Sequence, residues 1–371
     1  MLAVLAGAGS GKTRGLINRA LAPRAGRVLC TTFTTASRDE IETRLAGRGD
    51  VVVSTLHGFA WQIVRQTFPD WGLCTDDMAV SRMTDLVPAD TASLLVAESA
   101  RWQESDLALS SWEPPAGFTL PPHLTAGEAR DLMVREWRAR IKAQTCTFSD
   151  TLALACLILE RTIRTPLFDL VLVDEAQDLS PMQARLLGAL EDQGSEVVLI
   201  GDPEQSIYGF RAGTPAFLQR ATPIGELATN FRSSPQVVAG ANFFRADGLS
   251  QSPAPDAPAG YARVRTFATA RDMNEYARSF SGQVLTRTQM EADMCAGRTV
   301  HSAKGLEWDH VAVLGVTENS FPCTQATTPA LIDEERRLLY VATSRARVGV
   351  ELLTVAGRES RFLEGWQDHE H

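Results

Sequence analysis

Lysine is nearly missing from this chain of 371 residues: only Lys12, Lys142 and Lys304 occur among its 36 basic residues, and the rest are arginine. A GC-rich coding bias accounts for most of that split. The lysines that persist are therefore candidates for positions where a compact ammonium is chemically needed. Cysteine is sparse and scattered. Cys30, Cys74, Cys146, Cys156, Cys295 and Cys323 form no CxxC pair and no Cys/His ligand spacing. This excludes a disulfide framework and a zinc ribbon, and fits buried thiols in a reducing cytoplasm. No long apolar run exists: the longest, Leu152–Leu159, falls far short of the ~20 residues of a membrane span. No basic stub followed by an apolar stretch opens the chain, so no secretory leader is expected. Cytoplasmic location without a membrane partner is the expectation. Positive charge is also short. The net charge of −9 argues against a protein that coats duplex DNA by bulk attraction. It leaves room for a narrow basic groove on an acidic body.

What is present is an alternation. Leu2–Leu5 reads as a strand, Thr13–Ala22 as a helix ending before Pro23, and Val28–Thr32 as a second strand. Thr35–Leu45 (helix), Val51–Ser54 (strand) and Leu56–Gln66 (helix) continue it. Such alternation implies a parallel sheet covered on both faces. From Pro69 to Thr147 it breaks: helices are expected at Ala89–Glu104 and Thr125–Gln144, with no strand. Phe148–Ile163 is helical again, and Asp169–Asp174 and Val197–Gly201 are buried strands. Ser250–Gly260 is a Pro/Ala/Ser-rich loop. A second unit follows: Tyr261–Phe267, Val284–Thr286, Val311–Val316 and Val348–Leu353 as strands, Ala270–Ser279 and Glu334–Thr343 as helices. The fold class is α/β: two units with parallel sheets, and a mostly helical insertion in the first.

Between the first strand and helix lies Ala6-Gly7-Ala8-Gly9-Ser10-Gly11-Lys12-Thr13. Small residues let successive backbone N–H groups turn inward around phosphate oxygens, and the helix adds its positive end. In this phosphate loop Lys12 contacts the β- and γ-phosphates and Thr13 holds Mg²⁺. A second carboxylate site is needed, and Asp169-Leu-Val-Leu-Val-Asp174-Glu175 supplies it. Asp174 would complete the Mg²⁺ shell, and Glu175 would orient and deprotonate the attacking water. Two adjacent acids at the end of a buried strand are costly without a cation. Together these motifs predict Mg²⁺-assisted nucleoside triphosphate hydrolysis and little more.

Eight segments, in order, resemble superfamily 1A DNA helicases of the UvrD/Rep/PcrA type. Ala6–Arg14 looks like motif I, Thr32-Phe-Thr-Thr-Ala-Ser like Ia, and Ser54-Thr-Leu-His-Gly-Phe59 like Ib. Val173-Asp-Glu-Ala-Gln-Asp178 is similar to motif II, and Ile200–Arg211 (IGDPEQSIYGFR) to motif III. Asn230-Phe-Arg-Ser-Ser234, Thr299–Glu307 and Glu334–Ala346 look like motifs IV, V and VI. The resemblance implies two RecA-like lobes that clamp ATP. Lobe 1A is residues 1–69 and 148–224, a helical 1B insertion is 70–147, and lobe 2A is 225–371. It puts Arg232 and Arg345 on the γ-phosphate as arginine fingers and makes Gln205 the γ-phosphate sensor. Adenine is sandwiched between Arg14 and Phe231, where the family usually has Tyr, and Glu307 bonds the ribose. A core aromatic at Phe231 and a surface arginine at 345 are the bland alternatives. Phe33, Tyr208 and Phe210, the last replacing the usual Trp, stack single-stranded bases. His57, Arg211 and His301 contact the strand, although either histidine also reads as an ordinary structural one. The resemblance assigns Lys304 no partner.

Two family features are missing. No Q motif precedes the strand at Leu2, so the expectation is either weakened base selectivity among nucleotides or a true start upstream of Met1. The large 2B domain that precedes motif V in relatives is replaced by Thr288–Gly297, which can only be a short connection. The resemblance therefore implies a 3′-to-5′ single-stranded DNA translocase and helicase without 2B, acting at single-strand/double-strand junctions as a monomer. The alternative is a translocase that remodels protein–DNA complexes or unwinds only with an accessory protein. No nuclease-like cluster follows motif VI.

Overall fold

Apolar strands followed by half-apolar helices build most of the chain. The computed structural model describes residues 1–23, 26–106, 108–114, 118–162, 165–209 and 212–370. Its elements begin β1 (Leu2–Ala6), α1 (Lys12–Ala20), β2 (Val28–Thr32), α2 (Thr35–Arg44), β3 (Val51–Thr55) and α3 (Leu56–Thr67). There follow β4 (Gly72–Leu73), α4 (Asp76–Met83), α5 (Ala89–Glu104), α6 (Ala126–Lys142), β5 (Thr145–Cys146) and α7 (Phe148–Thr162). Next are β6 (Leu170–Val173), α8 (Pro181–Asp192), β7 (Glu196–Gly201), α9 (Ala216–Arg220), β8 (Thr222–Leu227) and β9 (Thr229–Asn230). The remainder is α10 (Pro235–Phe243), β10 (Ser252–Pro253), β11 (Tyr261–Phe267), α11 (Ala270–Ser279), β12 (Gln283–Thr286) and α12 (Gln289–Cys295), then β13 (Arg298–Thr299), β14 (Trp308–Val313), α13 (Pro329–Thr343) and β15 (Ala346–Val355).

The expected α/β class with parallel sheets is what the structure has. One sheet runs β3-β2-β6-β7-β1-β8, and β2 pairs in parallel with β3 and β6. The other runs β11-β15-β14-β12-β13, with all four pairings parallel. The described chain divides into two compact units. The first is residues 1–3, 13–200 and 208–224; the second is 4–12, 201–207 and 225–371. None of the described helices is long and apolar enough to cross a membrane.

Within the first unit, α4, α5 and α6 enclose a core of their own from Met83, Leu95, Trp112 and Met133. A polar knot lies beneath it. Arg140 of α6 is ion-paired with Glu136 and, at 3.0 Å, with Asp150 of α7, and all three are buried. Asp150 also accepts from Gln103 Nε2 of α5 at 2.6 Å.

The expectation that no strand lies between Pro69 and Thr147 is corrected. Gly72 and Leu73 pair in parallel with Thr145 and Cys146. The two segments flank the helical insertion in the chain, and such short distant pairings leave no period in the sequence. Likewise Ser252–Pro253, in the expected loop, pairs with β9. The connection at 288–297 is short, as expected, but helical: Thr288 and Glu291 form a capping box that starts α12.

All six cysteines are free, and all but Cys323 are buried. Burial pushes the thiols of Cys30, Cys146 and Cys156 up to about 12, so they are inert at neutral pH.

Candidate active site

The phosphate loop is shaped by glycines at positive φ. Gly9 (φ +66) and Gly11 (φ +81) take left-handed backbone that other residues adopt at a cost of roughly 1 kcal/mol or more. Gly9 has a further reason to lack a side chain. A Cβ there would lie 2.7 Å from Cβ of Arg232 and 2.8 Å from Oδ1 of Asn230. Ala6, Ala8 and Ser10 are buried, while Gly11 is exposed and Lys12 partly so. Lys12 Nζ lies 3.4 Å from the Ala6 carbonyl, and Ser10 Oγ donates to the Gly7 carbonyl at 2.8 Å.

In the first unit, Thr13 opens towards the end of β6. Its Oγ1 donates to Asp174 Oδ2 at 3.4 Å. A hydroxyl and a carboxylate at this separation form a hard oxygen pair. That suits Mg²⁺, which takes one or two protein ligands and completes its shell with water and phosphate. No cluster of three or more His, Cys, Asp or Glu side chains arranged for a metal occurs among the described residues. Glu175 follows directly in the left-handed region, at φ +54. Its side chain accepts from Gln177 Nε2, and its N–H donates to Asp174 Oδ1 at 3.0 Å. A strained carboxylate beside a metal-competent one is the pattern in which strain marks function.

The second unit holds the other charged candidates. Arg345 is 2% exposed, which removes the surface-arginine alternative. It sits between α13 and β15, where Nε donates to the Val341 carbonyl at 3.0 Å and Nη2 lies 3.5 Å from Gln205 Oε1. Gln205 is buried; its Nε2 donates to Asp202 Oδ2 at 2.9 Å. Lys304 finds its partner here, donating from Nζ to the Gln205 carbonyl at 2.7 Å. Arg232 pairs with Glu307 at 2.5 Å, and Glu307 also pairs with Arg347 at 2.6 Å. Burial opposes ionisation of Glu307, but Arg347 and Arg232 outweigh it and hold its carboxyl below the usual range. Phe231 is 70% exposed, so it is no core aromatic. Its N–H donates to the Gly9 carbonyl at 2.9 Å, which ties its backbone to the phosphate loop. Arg14, in the first unit, is exposed on α1.

Of the strand-contacting candidates, Phe33 and Tyr208 are brought together. Their rings stack at 5.6 Å, 9° from parallel. His57 Nε2 pairs with Glu104 Oε1 at 2.9 Å and meets Phe148 edge-on. Glu104 ends α5 and also accepts from Ser180 and Ser149, so the helical insertion orients this histidine. His301 is partly buried. Burial, then the Arg287 charge, lowers its pKa to about 4, so it is neutral at physiological pH. Phe210 and Arg211 lie outside the described residues. Residues that sequence reasoning missed include Glu104, Asn230, Arg245 and Gln251. Asn230 Oδ1 accepts from the N–H groups of Arg232 and Ser233 at 2.8 and 2.9 Å, a turn signal legible from Asn-Phe-Arg-Ser alone.

The family described as UvrD/REP helicase N-terminal domain matches residues 1–223, and the UvrD-like helicase C-terminal domain matches residues 288–354. DNA helicase IV of Escherichia coli K12 is 27% identical over 98% of this chain and 67% of its own length. ATP-dependent DNA helicase Rep of Salmonella typhimurium is 28% identical over 66% of this chain, and the match spans only 41% of Rep. A solved arterivirus nonstructural protein 10 (helicase) with DNA superposes over 95% of this chain and 60% of its own, with 16% identity and a TM-score of 0.45.

Proposed function

We propose, because the chain belongs to the UvrD/REP helicase family, that it is an ATP-hydrolysing motor that moves along single-stranded DNA and unwinds duplex at single-strand/double-strand junctions. The 3′-to-5′ sense is the one the motif resemblance implies. The functional division we propose is lobe 1A (1–69 and 148–224), insertion 1B (70–147) and lobe 2A (225–371). The chain acts as a monomer in the cytoplasm.

The loop Ala6–Thr13 receives the triphosphate, with Lys12 on the β- and γ-oxygens. Arg14 and Phe231 hold the adenine between them, and Glu307 bonds the ribose. Thr13 and Asp174 would hold Mg²⁺, which when bound would neutralise phosphate charge. Glu175 orients the water and takes its proton. Arg232 and Arg345 place guanidinium charge where it accumulates on the γ-phosphoryl oxygens. The Arg232–Glu307 pair couples ribose binding to one of these arginines. Gln205 links the γ-phosphate to the strand-binding side. There Phe33, Tyr208 and Phe210 stack bases, and His57, Arg211 and His301 contact the strand.

One observation supports this reading most: Arg345 is 2% exposed, with Nη2 3.5 Å from Gln205 Oε1, so the proposed finger lies beside the proposed γ-phosphate sensor. The test is ATP hydrolysis with and without single-stranded DNA. The wild-type chain should be stimulated, and Glu175→Gln should bind ATP while losing at least about a hundredfold in turnover. Undiminished turnover in that variant contradicts the role of Glu175. The shortness of α12, where relatives carry 2B, favours a second reading: a translocase that remodels protein–DNA complexes or needs an accessory protein to unwind. Translocation without strand displacement by the chain alone selects it.

A further inference from the structure

Ala8 stands in the middle of the phosphate loop, 1% exposed, and both sides of its peptide are taken by side chains from far along the sequence. Its N–H donates to Tyr340 Oη at 3.3 Å, and its carbonyl accepts from Gln251 Nε2 at 2.7 Å. All three residues lie within the second unit. Gln251 is itself fixed. Its N–H donates to Asn242 Oδ1 at 3.0 Å, and its carbonyl accepts from Asn242 Nδ2 at 2.8 Å. The amide lies so close on the loop that a Cβ at Gly7 would come within 2.3 Å of it. That contact gives Gly7 a reason to be glycine that no phosphate requires.

Tyr340 carries the connection onward. It is fully buried, and burial, then Asp202, raises its pKa well above the usual phenol value, so the hydroxyl keeps its proton. The hydroxyl donates to Asp202 Oδ2 at 2.7 Å and accepts from Arg245 Nη1 at 2.7 Å. The same Asp202 oxygen accepts from Gln205 Nε2 at 2.9 Å. A continuous path of hydrogen bonds thus runs from the loop N–H, through Tyr340 and Asp202, to Gln205. Buried polar networks of this kind are directional and tolerate little displacement.

We propose that Gln251 and Tyr340 are positioning residues for ATP hydrolysis: together they clamp the Ala8 peptide, and Tyr340 ties the loop to Gln205 through Asp202. The proposal rests on the reading of Ala6–Thr13 as an ATP phosphate loop. Gln251 bonds the loop carbonyl and, with Oε1 3.4 Å from Tyr340 Oη, stands off the path that leads on to Asp202, so it governs how well the loop is shaped for the triphosphate. Tyr340 lies between the loop and Gln205, so it governs turnover once ATP is bound.

The experiment uses the full chain with ATP and single-stranded DNA. It measures KM and kcat, equilibrium binding of a fluorescent ATP analogue, and the melting temperature without nucleotide. Gln251→Met keeps the length of the side chain and removes the amide. It should raise KM and the analogue Kd about tenfold with kcat little changed, the equivalent of one lost hydrogen bond. Tyr340→Phe should lower kcat about tenfold with KM little changed. The melting temperatures separate positioning from folding: a variant that loses only thermal stability, with kinetic constants of the wild type, overturns its assignment. Wild-type chain that binds and hydrolyses ATP beside a Gln251→Met variant of equal KM sinks the clamp and leaves the motor reading intact. Wild-type chain that binds no ATP analogue sinks both.

Discussion

Glu175 combines a chemical identity legible in the sequence with a backbone state that is not. The pattern Asp-Leu-Val-Leu-Val-Asp-Glu announces a buried strand ending in two acids. Nothing in it announces that the second acid sits at φ +54. Because only glycine relaxes in that region, Glu175→Gly should be more stable than Glu175→Ala by about 1 kcal/mol, while both lose turnover. Urea denaturation of the two variants decides this, and equal midpoints contradict the strain. Arg345 was equally half-legible: its residue type fits a finger, but its burial depends on Val341, Leu306 and Gln205 surrounding it. Gln251 was not legible at all, standing in a Pro/Ala/Ser-rich stretch that carries no motif. His301 supplies a pH prediction. Its pKa of about 4 in the folded chain lies below the ordinary 6.5. Between those values the unfolded chain binds a proton that the folded chain refuses, so stability falls as pH drops through that window and is unaffected above it. Removing the group in His301→Gln should flatten that slope, recovering roughly 3 kcal/mol at pH 4. A variant with an unchanged slope between pH 6.5 and 4 places the acid sensitivity elsewhere.

Elements were legible wherever a period or a cap announced them. The limits of β11, α5 and α11 coincide with the apolar alternation and helical stretches that predicted them. Helices α8 and α10 were passed over although Ser180-Pro and Ser234-Pro start them, each serine accepting from the N–H three residues on. Those signals were present, and the apolar runs around them masked the helical period. The strands β4 and β5 had no signal to read, because two residues cannot display a period of two. The polar knot of α6 and α7 has no signal to read either, because charged residues on helices are mostly exposed and only the fold pairs Arg140 with Asp150. Its energetics are now predictable. Asp150→Ala leaves the Arg140 guanidinium buried with Glu136 alone and removes the acceptor of Gln103 and of the Thr147 N–H. Breaking a buried pair on one side costs roughly 3–5 kcal/mol. Denaturant unfolding should show a loss of that order, whereas Asp77→Ala, on the exposed first turn of α4, should fall within about 0.5 kcal/mol of the wild type. Similar stabilities for the two variants contradict the knot.

The whole chain carries a net charge of −9, and a motor on nucleic acid must hold its strand despite that field. Two strategies are open: a dense local array of arginines, or few ionic contacts with affinity drawn from stacking. The described strand-side candidates favour the second. His301 is neutral, His57 is engaged by Glu104, and Phe33 and Tyr208 present a stacked aromatic pair. Each phosphate neutralised on a single strand adds ~0.7 to the salt slope, whereas stacking adds nothing to it and contributes ~1–3 kcal/mol per base. Affinity for an unstructured oligonucleotide, measured by anisotropy across a salt series, should therefore fall with a slope no steeper than about −3. Phe33→Ala should weaken binding about tenfold at every salt concentration without changing that slope, because an aromatic platform releases no counterions. A slope nearer −6, or a Phe33→Ala variant that binds as tightly as the wild type, would show that arginines outside these residues carry the strand and that the acidic body is offset by charge rather than bypassed by stacking.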